Sequence, residues 1–141
     1  MIVGQMATKT TTADSTRVSA EPGTLTLVCV LAWAVPGAAH VWLGRRQKGA
    51  VFLIVLGLMF VIGLMLRGRI FPFELSEPLV ALAAVADIGL GVPWAVARMV
   101  GAGAGLVTAA TYEYGNSFLI VAGLLNFLVI LDAFDIAMGR K

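Results

Sequence analysis

Charge is what this sequence has least of. Only 13% of its 141 residues are Asp, Glu, Lys or Arg, while 60% are hydrophobic. Soluble domains carry about 25% charged and 45–50% apolar residues, and a chain this short needs polar side chains to coat its surface. The mean hydropathy of +0.95 points the same way. A soluble globular domain and a disordered chain are excluded. A net charge of +2 is too small to recruit nucleic acid. Histidine and cysteine occur once each, as His40 and Cys29. One cysteine forms no intrachain disulfide, and no Cys/His metal cluster can be assembled. No nucleophile–base pair and no phosphate loop is present, so an enzyme is not expected. Gly101, Gly103 and Gly105 alternate with alanine, which is the wrong spacing for a dinucleotide fingerprint.

The few charges are bunched. Between the bunches lie charge-free stretches at 22–44, 49–66 and 114–131. About twenty apolar helical residues span the hydrocarbon of a bilayer. The fold class that follows is all-α: a polytopic membrane protein of four transmembrane helices, arranged as two helical hairpins. Residues 1–21 read as a flexible polar tail, and 22–141 as a single helical membrane domain. The helices are expected at about 24–43, 50–66, 79–97 and 117–138. Leu25–Leu31 followed by Ala32-Trp33-Ala34 resembles a signal-peptide cleavage pattern, but the apolar run continues to Leu43 and cleavage is not expected.

Pro36-Gly37 interrupts the first segment. Pro36 frees the carbonyl of Ala32, which predicts a break there and three crossings if segment 1 is re-entrant. Gly89, Gly91 and Pro93 predict a bend in the third segment. Asn116 reads as the N-cap of the fourth. Four crossings place Trp42, Trp94, Tyr112 and Tyr114 at one interface, a depth these amphipathic rings favour. Basic residues are too evenly divided between the two sides of that layout to orient it.

Residues 36–49, PGAAHVWLGRRQKG, are the most distinctive stretch. They resemble the two-transmembrane-domain family, at Gly37, His40, Trp42, Leu43, Gly44 and Arg45. Ala39 and Trp42 stand where glycine and tyrosine are common there, and the Asp-Arg-Phe signature of animal members is absent. The resemblance covers residues 25–66. The whole chain, YEYGNSFLIVAGLLNFLVILDAFDIAMGRK above all, looks like uncharacterised small multi-pass proteins of bacteria, Acidobacteria-like ones among them. That resemblance implies the bacterial inner membrane and brings no activity with it.

Eight residues, in five features, carry the chemistry. His40 is a turn histidine, or else an axial ligand for chlorophyll or haem in an accessory subunit of a photosynthetic or respiratory complex; no cofactor is otherwise expected. Asp87 lies within an apolar segment, where a carboxylate is costly and faces the bundle, as a lock between helices or a proton path in a small transporter. Asn126 falls at matching depth, which predicts an Asp87–Asn126 pair. Arg45, Arg46 and Lys48 form a basic turn at lipid head groups. Asp132 and Asp135 share a helix face and read as a solvated end beside Arg140 and Lys141. The expected partners are the lipid bilayer and other membrane-protein subunits, with no nucleic acid. The leading functional expectation is a non-enzymatic structural or accessory component of a larger membrane assembly.

Overall fold

The computed structural model describes residues 21–140. Residues 1–20, which hold all of the expected polar tail except Glu21, lie outside them. Among the described residues six helices follow one another: α1 (Pro22–Ala34), α2 (Ala38–Trp42), α3 (Arg46–Met65), α4 (Pro78–Ile88), α5 (Val92–Met99) and α6 (Tyr112–Ala137). The only β-type pairing among the described residues is the isolated antiparallel bridge of Arg69 with Ala104. The all-α expectation holds. The expectation of four crossings is not reproduced: two unbroken helices, α3 and α6, are long and apolar enough to cross a membrane, and the α4–α5 pair is bent by 108°.

The frame is α3 packed antiparallel on α6. At one end Gly63 and Gly68 abut Gly115, with Leu119 packed beside Gly63. At the other, Lys48 Nζ meets Asp132 Oδ2 at 2.6 Å. We call these the loop end and the basic end.

The first apolar segment does not traverse this frame. α1 runs antiparallel to α6, with Val28 and Ala32 packed on Ala133, and reaches Asn126 at Trp33. Its thirteen residues cover only ~20 Å. The chain turns at Val35-Pro36-Gly37, with Gly37 at φ +83°. α2 then returns toward the basic end, placing His40 beside Asp132. The break expected at Pro36-Gly37 is present, and the segment is two helices rather than one over 24–43.

The third segment mirrors the first from the opposite end. The chain leaves α3 at the loop end, where Arg69 N–H donates to Asn116 Oδ1 at 2.7 Å. α4 then descends until Gly89 meets Asn126. Gly91, at φ +68° and ψ −123°, reverses the chain in a conformation open essentially to glycine alone. α5 climbs back, and its following loop joins the strand-like stretch after α3: Ile70 N–H donates to Gly103 O at 2.8 Å and Leu106 N–H to Arg67 O at 3.1 Å. Gly101, Gly103 and Gly105 all take positive φ in that loop.

Two further expectations are corrected. Asn116 is not an N-cap: α6 begins four residues earlier with Thr111 as its N-cap, and the Asn116 side chain caps the loop backbone instead. Trp42 lies at the basic end, next to the Gly44–Lys48 turn, whereas Tyr112 and Tyr114 open α6 at the loop end. The four interfacial aromatics therefore do not share one face. That expectation depended on a third traverse, which the turn at Gly91 removes.

Candidate functional site

Two polar clusters lie on α6, one at the middle of the helix and one near its basic end. The central one is built on Asn126, which is completely buried. Its Nδ2 donates to Gly89 O at 2.8 Å and lies 3.4 Å from both Ala32 O and Trp33 O. Ala32 O is the carbonyl that Pro36 frees, so the break in α1 is met by a side chain from α6. The two hairpin tips also touch directly. Trp33 Nε1 donates to Ile88 O at 2.9 Å, and Gly91 packs against the Trp33 carbonyl so closely that a side chain has no room. One carboxamide thus sits where two helix breaks, entering from opposite ends, meet.

Asp87 is 1% exposed and one helical turn from this junction. Its Oδ2 accepts from Phe71 N–H at 2.9 Å. The structure brings Asp87 and Asn126 to the same region but does not bond them to each other. Asn126 donates to the backbone two residues beyond Asp87, while Asp87 holds the loop that enters α4. The depths that predicted the pair assumed that segment 3 runs on toward the start of α6, whereas the chain turns back at Gly91, and Asp87 and Asn126 each bond backbone instead. At a broken helix the unpaired carbonyl competes for the amide, and an unpaired backbone group inside an apolar interior costs more than a side chain that can turn elsewhere.

The second cluster lies at the basic end. His40 Nε2 is 2.8 Å from Asp132 Oδ2, and the same oxygen receives Lys48 Nζ. The imidazole is completely buried and meets Phe52 edge-on, with ring centroids 4.9 Å apart. Its Nδ1 is also buried. Asp135 makes the expected helix-end contact, with Arg140 Nη1 at 3.3 Å. Asp132 was expected to be a solvated acid, and it is the most connected residue of this cluster. The sequence offered one signal for it: if α3 and α6 are the only full traverses, the start of one and the end of the other share a level. Arg45 and Arg46 stand exposed on the adjoining turn, and Lys48 is half-buried.

Open grooves flank both clusters. One, of about 590 Å³, runs between α3 and α6. Val51, Phe52, Val55, Leu125 and Leu128 form its walls, and Lys48, Asp132 and Asp135 its mouth. Another, of about 440 Å³, lies beside the first hairpin tip, between α3 and α5, and includes Pro36, Gly57, Phe60 and Pro93. No group of three or more His, Cys, Asp or Glu among the described residues is placed to hold a metal ion.

Comparison with known proteins gives one match. The sequence model of a family described as "Family of unknown function (DUF6677)" covers residues 27–141. No curated protein and no solved structure matches. The resemblance of residues 25–66 to the two-transmembrane-domain family gains no support from this match.

Proposed function

The chain belongs to the DUF6677 family, whose description assigns no activity, and from the geometry we propose a non-enzymatic integral membrane protein that packs as a structural or accessory component beside other membrane proteins. In this reading α3 and α6 cross the bilayer, and α1–α2 and α4–α5 are half-depth hairpins entering from opposite faces. Broken backbone at membrane depth is tolerated only where protein buries it and satisfies its polar groups. The observation that carries the proposal is how the interior polar groups are used. Asn126 holds the two tips, Asp87 holds Phe71 and Asn116 holds Arg69. Each bonds a backbone group at a break or a loop, which is the work of fixing a shape. His40 Nε2 is engaged by Asp132 and the ring packs on Phe52, while Nδ1 is buried without a hydrogen-bond partner; with neither ring nitrogen at the surface, a structural histidine is favoured over an axial ligand for haem or chlorophyll.

The outer face supplies the rest of the support. Leu53, Ile54, Leu58 and Val61 of α3 are exposed, and beside Gly57 the space is open. Small residues let a neighbouring helix approach closely in lipid. The test is affinity purification of tagged protein from native membranes in a mild detergent. A stoichiometric partner, retained by wild type and lost on Gly57→Trp, is the expected result. Recovery of the tagged chain alone, as a single copy, would overturn the proposal.

A further inference from the structure

The α3–α5 groove opens at the loop end onto a second, polar cleft. That cleft, of about 370 Å³, is formed by Leu64, Arg67, Gly68 and the 101–106 loop. Groove and cleft share Leu64 and Ala102. The groove has no charged residue in its walls, and among the described residues Arg67 is the one charge that lines the cleft. The α3 wall of the groove extends from Leu53 to Leu64, ~16 Å at about 1.5 Å per residue. That is about half of the ~30 Å hydrocarbon thickness, the depth of one leaflet. An apolar slot one leaflet deep, ending at a cation, matches an acyl chain with an anionic head. We propose that this surface binds an anionic phospholipid, with its phosphate in the cleft between Arg67 and the glycine loop and one acyl chain lying between α3 and α5.

Charge complementarity selects the lipid class. Arg67 is exposed and enters no ion pair among the described residues. The acids of the loop end, Glu74, Glu77 and Glu113, are not part of the cleft lining. Two residues that do line it, Gly103 and Ala104, have backbone N–H groups without an acceptor among the described residues. Peptide N–H groups presented by turns of this kind form concavities for anions, and guanidinium meets phosphate in a planar, two-pronged geometry. A choline head group adds a cation to the same cleft and is disfavoured. Arg67 is also the one non-glycine residue at positive φ among the described residues, at +65°. Glycine would occupy that position without strain; the arginine puts a cation on the cleft. Leu106 N–H donates to Arg67 O at 3.1 Å, so the end of α3 and the loop after α5 are held together and the site is built by the tertiary fold.

The slot shares Leu53 and Gly57 with the α3 face proposed to meet another protein. The lipid is therefore read on the isolated protein and the neighbour in native membranes, and either reading can fail alone. Purified full-length protein in mixed micelles is titrated with dioleoylphosphatidylglycerol, dioleoylphosphatidylcholine or chain-free sn-glycerol 3-phosphate. Binding is followed by thermal stabilisation and by native mass spectrometry. The expected result is a roughly fivefold preference for the phosphatidylglycerol over the phosphatidylcholine, the scale of one basic residue at an anionic surface, with no stabilisation by glycerol 3-phosphate. The preference is expected to disappear in Arg67→Gly and in Arg67→Asn, both of which suit positive φ and so keep a lipid-free melting temperature close to wild type. It is expected to persist in Arg46→Gln, which removes one charge at the basic end. Val96→Trp, which fills the slot from an exposed position, is expected to weaken both lipids. Equal binding of the two lipids, a preference that survives in Arg67→Gly, unchanged lipid affinity in Val96→Trp, or stabilisation by glycerol 3-phosphate equal to that by the lipid would overturn the proposal.

Discussion

Asn126 does more than its side chain's size suggests. An amide buried in an apolar interior is costly unless paired, and here it pairs with the backbone of two different hairpins. Asn126→Leu keeps the volume and removes the donor, leaving Gly89 O and Ala32 O without it. The expected loss is ~1–3 kcal/mol, the cost of orphaned buried acceptors, read as a lower melting temperature in detergent and faster amide exchange at the two tips. Gly123 is the complementary case. The Ala86 carbonyl lies where its Cβ would stand, and backbone cannot move aside as a flexible side chain can. Gly123→Ala is expected to cost ~1–3 kcal/mol by overpacking. Gly57→Ala, with open space around it, is expected to be neutral or slightly stabilising, since alanine is the better helix former. Equal melting temperatures for the two variants would contradict the close α4–α6 approach.

At the scale of elements, the proposed topology turns on the two hairpins, since two helices, or three if the bent α4–α5 pair is one span, are apolar and long enough to cross. Segment 1 has the length of a span but is divided at Pro36-Gly37, and segment 3 is divided at Gly89–Gly91. A hairpin that enters and leaves at one face makes a prediction a traverse does not. With Cys29 replaced by alanine, single cysteines at Thr24 and Trp42 should be labelled by an impermeant maleimide from the same side of sealed vesicles. Cysteines at Leu79 and Met99, which are 82% and 86% exposed, should both be labelled from the other. Thr24 and Trp42 labelled from opposite sides would restore a full crossing for segment 1.

For the molecule as a whole, the pairing of ends redistributes the charges. Arg45, Arg46, Lys48 and Arg140 gather at the basic end, against Arg67, Arg69 and Arg98 at the loop end. Among the described residues that is four Lys and Arg against three, and on that margin the positive-inside rule sets the expectation that the basic end faces the cytoplasm. A reporter fused after Lys141 is expected to be active when it is one that folds only in the cytoplasm, and silent when it is one that requires export. The reverse pattern would invert the orientation.

The sequence alone determined the helical class, the apolar segments, the break at Pro36-Gly37 and the bend near Gly91. All of these are local: they follow from hydropathy, from proline's missing donor and from glycine's freedom at positive φ. It also ranked Asp87 and Asn126 as special, because a polar group in an apolar run needs a partner wherever it ends up. It did not determine the partners. Whether a broken segment continues across or turns back depends on what receives its unpaired backbone, and that receiver is Asn126, more than ninety residues from Ala32. The turning of the two hairpins decides which ends meet, and so brings Asp132 to His40 and Lys48 and separates Trp42 from Tyr112 and Tyr114. Length and hydropathy are the same for a traverse and for a half-depth hairpin; only tertiary contacts distinguish them.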